Sequence, residues 1–222
     1  PCGPTTVTCR AVDGTGNAAS CSFTVTVVCN GNQCPTAVAK ASPNVQLSPN
    51  QTNTIVISAN NSNACVTLDG SMSTDPDGDP LTYVWLADLD GDGVKEPLGS
   101  GAILTYCFEL GTYTVMLMVD DGHCPTPVTA SLTVEVLSAG EAVELLIDKV
   151  NNADLGRRNK RPLIASLKAA IASFDRGSCV SGVNQLEAFQ NKVRAQIGRE
   201  NSALADEIIA LAQKILDSID CQ

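Results

Sequence analysis

The sequence predicts a multidomain β + α chain: a β-hairpin, then an antiparallel β-sandwich, then a four-helix antiparallel bundle. Three observations carry this. As far as residue 137, apolar residues alternate with period two in short runs separated by turn signals. From residue 138 the apolar spacing changes to three and four, the period of an amphipathic helix. The charge divides at the same point. Residues 1–137 hold 3 Lys+Arg against 13 Asp+Glu, and residues 138–222 hold 11 of each, so the whole net charge of −10 lies in the β part.

Residues 1–29 read as the hairpin. Thr5–Val12 and Ala18–Val28 alternate, and Asp13-Gly-Thr-Gly-Asn17 is the turn between them. A symmetric turn sets residues whose numbers sum to 30 opposite each other, which pairs Cys9 with Cys21. The row Phe23, Val25, Val27 needs a cover, because an isolated hairpin is marginal in water. The run Gly16-Asn-Ala-Ala-Ser-Cys-Ser-Phe-Thr-Val-Thr-Val27, after Gly3–Val7 and Ala11-Val12-Asp13, resembles the last third of a hyalin (HYR) repeat. That resemblance implies an extracellular, adhesion-associated module rather than an enzyme. Its first two thirds are missing here, so either the chain was cut from a longer one or a neighbouring molecule completes the sheet.

Residues 30–35 are a linker. Residues 36–137 read as one sandwich with strands at Ala37–Leu47, Thr54–Ala59, Ala64–Leu68, Leu81–Ala87, Ile103–Phe108, Thr112–Val119 and Ala130–Val136. Tyr113, Val115, Leu117 and Val119 share one face. Trp85, the single tryptophan, and Tyr113 sit at core positions rather than on a sugar-stacking surface. Gly111-Thr-Tyr-Thr-Val115 through Asp120-Asp121-Gly122, with Leu68-Asp-Gly-Ser-Met-Ser73 and Tyr83-Val-Trp85, resembles the PKD (polycystic kidney disease) repeat. The resemblance implies an Ig-like sandwich acting as a spacer, or as a carbohydrate- or protein-binding module, on bacterial secreted proteins. It also implies that Cys65 lies near Cys107 and Cys34 near Cys124. One departure stands out. The family's Trp-Asp-Phe-Gly-Asp-Gly is replaced by the longer, more acidic Trp85-Leu-Ala-Asp-Leu-Asp-Gly-Asp-Gly93.

Residues 138–222 read as four helices. Their apolar stripes are Val143, Leu146, Ile147, Val150; Leu163, Leu167, Ile171, Phe174; Val183, Leu186, Phe189, Val193, Ile197; and Leu204, Ile208, Leu211, Ile215, Ile219. Ser138-x-x-Glu141 is a capping box for the first helix. Pro162 suits the first turn of the second, and Gly177 ends it. Short connections make neighbours antiparallel, which brings Cys179 to Cys221. Ala165-Ser-Leu167, Asn184-Gln-Leu-Glu-Ala-Phe189 and Ala212-Gln213 resemble the FIMAH domain, a helical module of bacterial extracellular proteins. No activity follows from that.

The candidate sites are carboxylate turns. Asp88-Leu-Asp90-Gly-Asp92-Gly93 opens like an EF-hand-type calcium loop, in which alternate carboxylates point at one hard cation and glycine permits the sharp bend. Val94 would add its carbonyl. Position twelve is Gly99 instead of glutamate, and Glu96 is the substitute. A second, weaker calcium set is Asp75, Asp77 and Asp79 with Asp120 and Asp121, since the loops before Leu81 and after Val119 share one end of such a sandwich. The alternative for both is an exposed Asx-rich turn that stops a strand. Arg157-Arg-Asn-Lys-Arg161 reads as a solvated interhelical loop, and the single His123 as a loop histidine.

Ten cysteines at wide spacing, with no CxxC pair and only one histidine, read as disulfides in an oxidising compartment, and Cys2–Cys29 remains by elimination. No run of 18 apolar residues spans a bilayer. Pro1 looks like a processed or trimmed start. The acidic front part excludes nucleic acid as a partner. The expectation is a non-catalytic extracellular or cell-surface protein of structural or adhesive kind, stiffened by disulfides and calcium, with homo-assembly or another extracellular protein or polysaccharide as partner. A surface filament is one form of it. The alternative is a carbohydrate- or protein-binding accessory region of a larger secreted enzyme.

Overall fold

The computed structural model describes residues 3–27, 31–219 and 221. The hairpin pairs β1 (Gly3–Val12) with β2 (Ala18–Val27), and Cys9 stands opposite Cys21. Its turn is closed by Asp13, whose carboxylate accepts from the backbone amides of Thr15 and Asn17, each at 2.9 Å, and from both of their side chains. These bonds, the Asn17 side chain's first, hold the Asp13 carboxyl well below the usual carboxylate range.

The sandwich follows. A three-stranded sheet orders β3 (Lys40–Ser42), β5 (Asn63–Asp69) and β8 (Ile103–Glu109). A five-stranded sheet runs β4 (Thr54–Ser58), β10 (Val128–Ser138), β9 (Gly111–Asp120), β6 (Thr82–Ala87) and β7 (Glu96–Ser100), with β4 parallel to β10 and the rest antiparallel. Trp85 pairs with Leu117 in register. It is fully buried among Val66, Leu68, Phe108, Val115 and Val134. Its indole N–H donates to the carbonyl of Gly101 at 3.0 Å, so the one polar atom of the central side chain is satisfied. Tyr113 lies at the edge of this core, half-buried against Phe108 with ring centroids 4.9 Å apart.

Two strand expectations change. The run 37–47 forms a strand only over Lys40–Ser42, because Pro43 has no N–H to continue the ladder. The remainder is a loop folded around Gln51, whose side chain accepts from Leu47 N and donates to the carbonyls of Val45 and Asn53. In the other direction, the turn after Asp92 leads into an extra strand, β7, which pairs with β6 through a bulge at Trp85/Leu86.

Four helices complete the chain: α1 (Ala139–Asn152), α2 (Arg157–Phe174), α3 (Cys179–Ile197) and α4 (Ser202–Ser218). Strand β10 runs directly into α1 at Ser138, and the capping box is formed on both sides, Ser138 Oγ to Glu141 N and Glu141 to Ser138 N. Arg157–Arg161 is the first turn of α2 rather than a loop. Pro162 therefore lies inside that helix and removes one backbone donor.

Every residue of β4 is buried. Val56 faces the sandwich core, while Ile55 and Ile57, with Val45, join the helical core of Leu146, Leu167, Phe189 and Ile208. The two parts thus share a strand.

Cys34–Cys124, Cys65–Cys107 and Cys179–Cys221 are bonded. Cys9 and Cys21 are free thiols, so the bridge expected between them is not formed. Cys65 and Cys107 also stand directly opposite each other, on β5 and β8, and are bonded, so an opposed register alone does not decide whether a bridge forms. The expected Cys2–Cys29 pair lies outside the described residues.

Candidate metal centres

The Asp88 loop links β6 to β7. Its shape follows from its own carboxylates and glycines. Asp88 accepts from Gly91 N at 2.7 Å and from Gly93 N at 2.9 Å; Asp90 accepts from Asp92 N at 3.1 Å, and Asp92 from Val94 N at 2.7 Å. Gly91 and Gly93 have φ of 80° and 87°, left-handed backbone that favours glycine. The loop therefore turns back on itself and points three side chains inward. Asp88, Asp90 and Asp92 each bring a carboxylate oxygen within 4.8 Å of the other two. Glu96 is not part of this group, because its carboxylate accepts from Leu89 N at 3.0 Å and braces the loop from the strand side. Val94 was expected to add its backbone carbonyl; its amide donates to Asp92 at 2.7 Å and its side chain is exposed. A cleft of about 330 Å³ opens beside the loop against Thr112 and Thr114, with Lys95 on its wall.

The second set behaves differently. The structure gathers Asp79 and Asp121 with His123, one ligand atom from each within 4.8 Å of the others. His123 Nδ1 is 3.6 Å from Asp79 Oδ2. Asp75, Asp77 and Asp120 are not in this group, and each accepts from backbone amides. Asp75 accepts from the amides of Asp77 at 2.8 Å and Asp79 at 3.1 Å, Asp77 from Gln33 N at 2.7 Å, and Asp120 from Gly122 N at 2.9 Å. The other oxygen of Asp75 is buried without a hydrogen-bond partner. Asp121, only 5% exposed, accepts from the Asn32 side chain and from the amides of His123 and Cys124, each at 2.9 Å. The Asn32 amide first, and the two backbone bonds after it, lower its carboxyl to about 2. The same end carries Cys34–Cys124, so residues 32–34 are fastened to the loop after β9 by both covalent and polar links.

From the sequence, His123 reads only as a loop histidine. Its approach to Asp79 depends on two loops 44 residues apart meeting at one end of the sandwich.

The Asp88 loop suits a hard cation. Carboxylate oxygens converge there, and three of them supply about half of calcium's six to eight positions, which leaves the rest to water or other oxygens. The Asp79–Asp121–His123 set adds a nitrogen donor, which calcium uses little, and fits that ion less well.

Fold and sites together define an Ig-like β-sandwich module with acidic turns at its ends, fused to a helical bundle. Residues 35–136 match the family model of the PKD domain, and this segment is a PKD-type Ig-like domain. The match stops at the sandwich; the HYR and FIMAH resemblances rest on sequence pattern alone. No curated protein matches the chain. Among solved structures, the chain is similar to a nucleoside hydrolase-related hypothetical protein from Saccharophagus degradans that is associated with carbohydrate metabolism, at 23% identity and TM-score 0.31, over 48% of this chain and 26% of that one. It is also similar to the fibronectin(III)-like modules of Clostridium thermocellum CbhA, at 17% identity and TM-score 0.31, over 62% of this chain and 64% of that one. The chain thus spans about a quarter of the first and less than two thirds of the second. At those TM-scores neither likeness bears on function.

Proposed function

We propose that this chain is a non-catalytic extracellular structural or adhesive segment, in which the PKD-type sandwich is a stiff spacer with calcium at its Asp88 turn. The observation that carries this reading is β4, buried between the sandwich core and the helical core. A strand shared by two cores leaves no linker to bend, so the sandwich and bundle transmit force as one body. The three disulfides among the described residues fit an oxidising, extracellular compartment. Among the described residues, no helix is long and apolar enough to cross a membrane. The Asp90 and Asp92 carboxylates lie in a turn open to water, a setting for ion binding rather than for acid–base chemistry. Three converging carboxylates would hold calcium on the order of 10⁻⁴–10⁻³ M, the range of extracellular modules. A neighbouring molecule covering the apolar face of the hairpin would extend the scaffold into an assembly, and a surface filament is its largest form.

Melting the protein in calcium and in chelator tests this. Calcium should raise the sandwich transition of the parent and leave Asp90→Ala unchanged. Equal melting of the parent in both buffers removes calcium from the account.

A second reading is a binding accessory region of a larger secreted enzyme. It is favoured by a cleft of about 720 Å³ between the sandwich and the bundle, floored by Ile55, Leu145 and Leu211 and rimmed by Glu135 and Lys214. Among the described residues no aromatic side chain lines it, which argues against sugar stacking there. Retention of a monomer on insoluble polysaccharide would favour this reading over the scaffold.

A further inference from the structure

The two sheets of the sandwich present four lateral edges, at β4, β7, β3 and β8, and three of them are closed. Strand β4 is covered by the segment before it, with Val45 N donating to the Ile55 carbonyl and the Asn44 side chain accepting from Ile55 N, and all its residues are buried. Strand β3 is three residues long and stops at Pro43. Strand β7 is five residues long, carries Pro97 and meets β6 through a bulge. Short strands, prolines and bulges are the devices that blunt a sheet edge. Strand β8 has none of them. It is seven residues long, holds no proline, and its one charge is Glu109 at the end.

The ladder register shows which backbone groups of β8 are free. Leu110 N donates to the Ser62 carbonyl and Gly70 N to the Ala102 carbonyl, so hydrogen-bonded pairs bracket the β5–β8 ladder at both ends. In an antiparallel ladder such pairs alternate with pairs whose N–H and C=O groups point away. Leu104, Tyr106 and Phe108 therefore bond to β5, while Ile103, Thr105, Cys107 and Glu109 turn their groups to the open side. Among the described residues no strand pairs with β8 on that side. Cys65–Cys107 fastens β8 to β5, so the edge is held as a fixed template. Constant-type immunoglobulin sandwiches carry four strands in one sheet, where this sheet has three, so the architecture accommodates one more.

We propose that β8 takes an extended segment of another polypeptide as a fourth, antiparallel strand, apolar on the side of Leu104 and Tyr106 and with a cation opposite Glu109. This goes beyond the reading above, and neither calcium nor the hairpin enters it. Each of the four open residues offers one N–H and one C=O, a row that an extended backbone matches group for group. Antiparallel pairing is the more stable per residue. The partner's alternate residues then fall beside Leu104 and Tyr106, which lie half-buried at the margin of the sandwich core, and apolar side chains there extend that core. The cation follows from charge. Residues 1–137 hold the whole net charge of −10, and the only charge on β8 is a carboxylate. Opposite charges across a strand pair stabilise it and like charges destabilise it. In strand additions of this kind the main-chain bonds supply affinity and the alternate side chains supply selectivity.

Amide hydrogen exchange of the whole chain tests this, with the blocked peptide acetyl-Lys-Val-Thr-Val-Thr-Val-Thr-amide as the probe. Its lysine falls opposite Glu109, and its valines fall on the side of Leu104 and Tyr106. In the free protein, exchange should be fast at Ile103, Thr105, Cys107 and Glu109 and slow at the three residues between them. Excess peptide should slow the first four. N-methylation of the third or fifth peptide residue, whose amides face β8, should weaken binding about tenfold, and N-methylation of the fourth, whose amide faces away, should not. Thr105→Pro removes one open N–H and no bond to β5, so it should abolish binding while the emission of the buried Trp85 stays with the parent. Glu109→Lys should reverse the preference to a peptide with glutamate in place of lysine, a test that stands even if Thr105→Pro fails to fold. Slow exchange at the four amides without peptide means that the edge is already occupied and overturns the proposal. So do amides that stay fast in excess peptide, binding indifferent to which residue is methylated or to Thr105→Pro, and a preference unmoved by Glu109→Lys. If the protein still melts higher in calcium, only the strand addition fails and the scaffold reading stands.

Discussion

The side-chain amide of Asn61 donates to the backbone carbonyl of Phe174 at 3.0 Å, across 113 residues of chain. Its oxygen accepts from Ala139 N at 3.2 Å. One side chain in the loop after β4 therefore serves the Phe174 carbonyl at the end of α2, which also accepts from Gly177 N, and the first amide of α1. To do so Asn61 adopts φ of 54°, a left-handed conformation that asparagine tolerates better than most residues. Asn61→Ala removes both bonds and adds backbone strain, for a loss of roughly 2–3 kcal/mol. Asn61→Gly keeps the backbone at ease and should lose less. Thermal unfolding of the two variants checks the order; equal losses would mean that the backbone strain contributes nothing beyond the two bonds.

Gly182 sits in α3 where that helix crosses α2. A Cβ there would lie 2.4 Å from the ring of Phe174. Phe174 is almost fully buried, so its ring has little room to yield. Alanine is the better helix former by up to about 1 kcal/mol, yet Gly182→Ala should destabilise by about 1–3 kcal/mol, because overpacking outweighs propensity. Helical circular dichroism during unfolding reads this directly, and a stabilised variant would show that the helices can part without cost.

The alternation of Val115, Leu117 and Val119 and the apolar stripes of the helices were legible because each reports a local period against a core, and the structure buries Val115, Leu117 and Val119 and most of the stripes' residues. Strand β7 was not legible. Glu96-Pro-Leu-Gly-Ser100 has no β-branched residue and no alternation, and it is a strand only because β6 offers it a bulged edge. The same limit governed the second carboxylate set. Which of five aspartates turns inward depends on backbone amides from elsewhere, such as Gln33 N for Asp77, and the sequence of the loop does not record them. Asn61 and Gly182 act across the chain, so neither carried a local signal.

Cys179 and Cys221 join the start of α3 to the residues after α4, 42 positions apart. Closing a loop of that length removes unfolded-state entropy equivalent to roughly 4 kcal/mol in the chain-entropy description. Replacing both by serine should lower the helical transition by about that free energy and free the last turn of α4, where Ile215 and Ile219 are buried. Hydrogen exchange should then quicken first at the α4 end. Uniform quickening over all four helices would instead assign the bond a global role.

Asn32 and Asp121 give the protein a defined acid limit. Asp121 is buried, and its charged form accepts three hydrogen bonds, the one from Asn32 having the largest effect on its ionisation. Its folded pKa, lowered to about 2, lies below an unfolded value of about 3.9. A depressed carboxylate adds stability that is fully present above the unfolded value and is lost as pH falls through the folded one. The parent sandwich should therefore hold through pH 4 and weaken between there and about 2. Asn32→Ala removes the largest cause, so the folded pKa rises and the window narrows from its acid side. Its acid transition, followed by the emission of Trp85, should move to higher pH, and its neutral-pH stability should fall. Adding the Cys34→Ser and Cys124→Ser changes on top should widen the loss, since the disulfide fastens the same loop. An Asn32→Ala variant with the parent's acid midpoint would mean that the two backbone amides alone hold the charge.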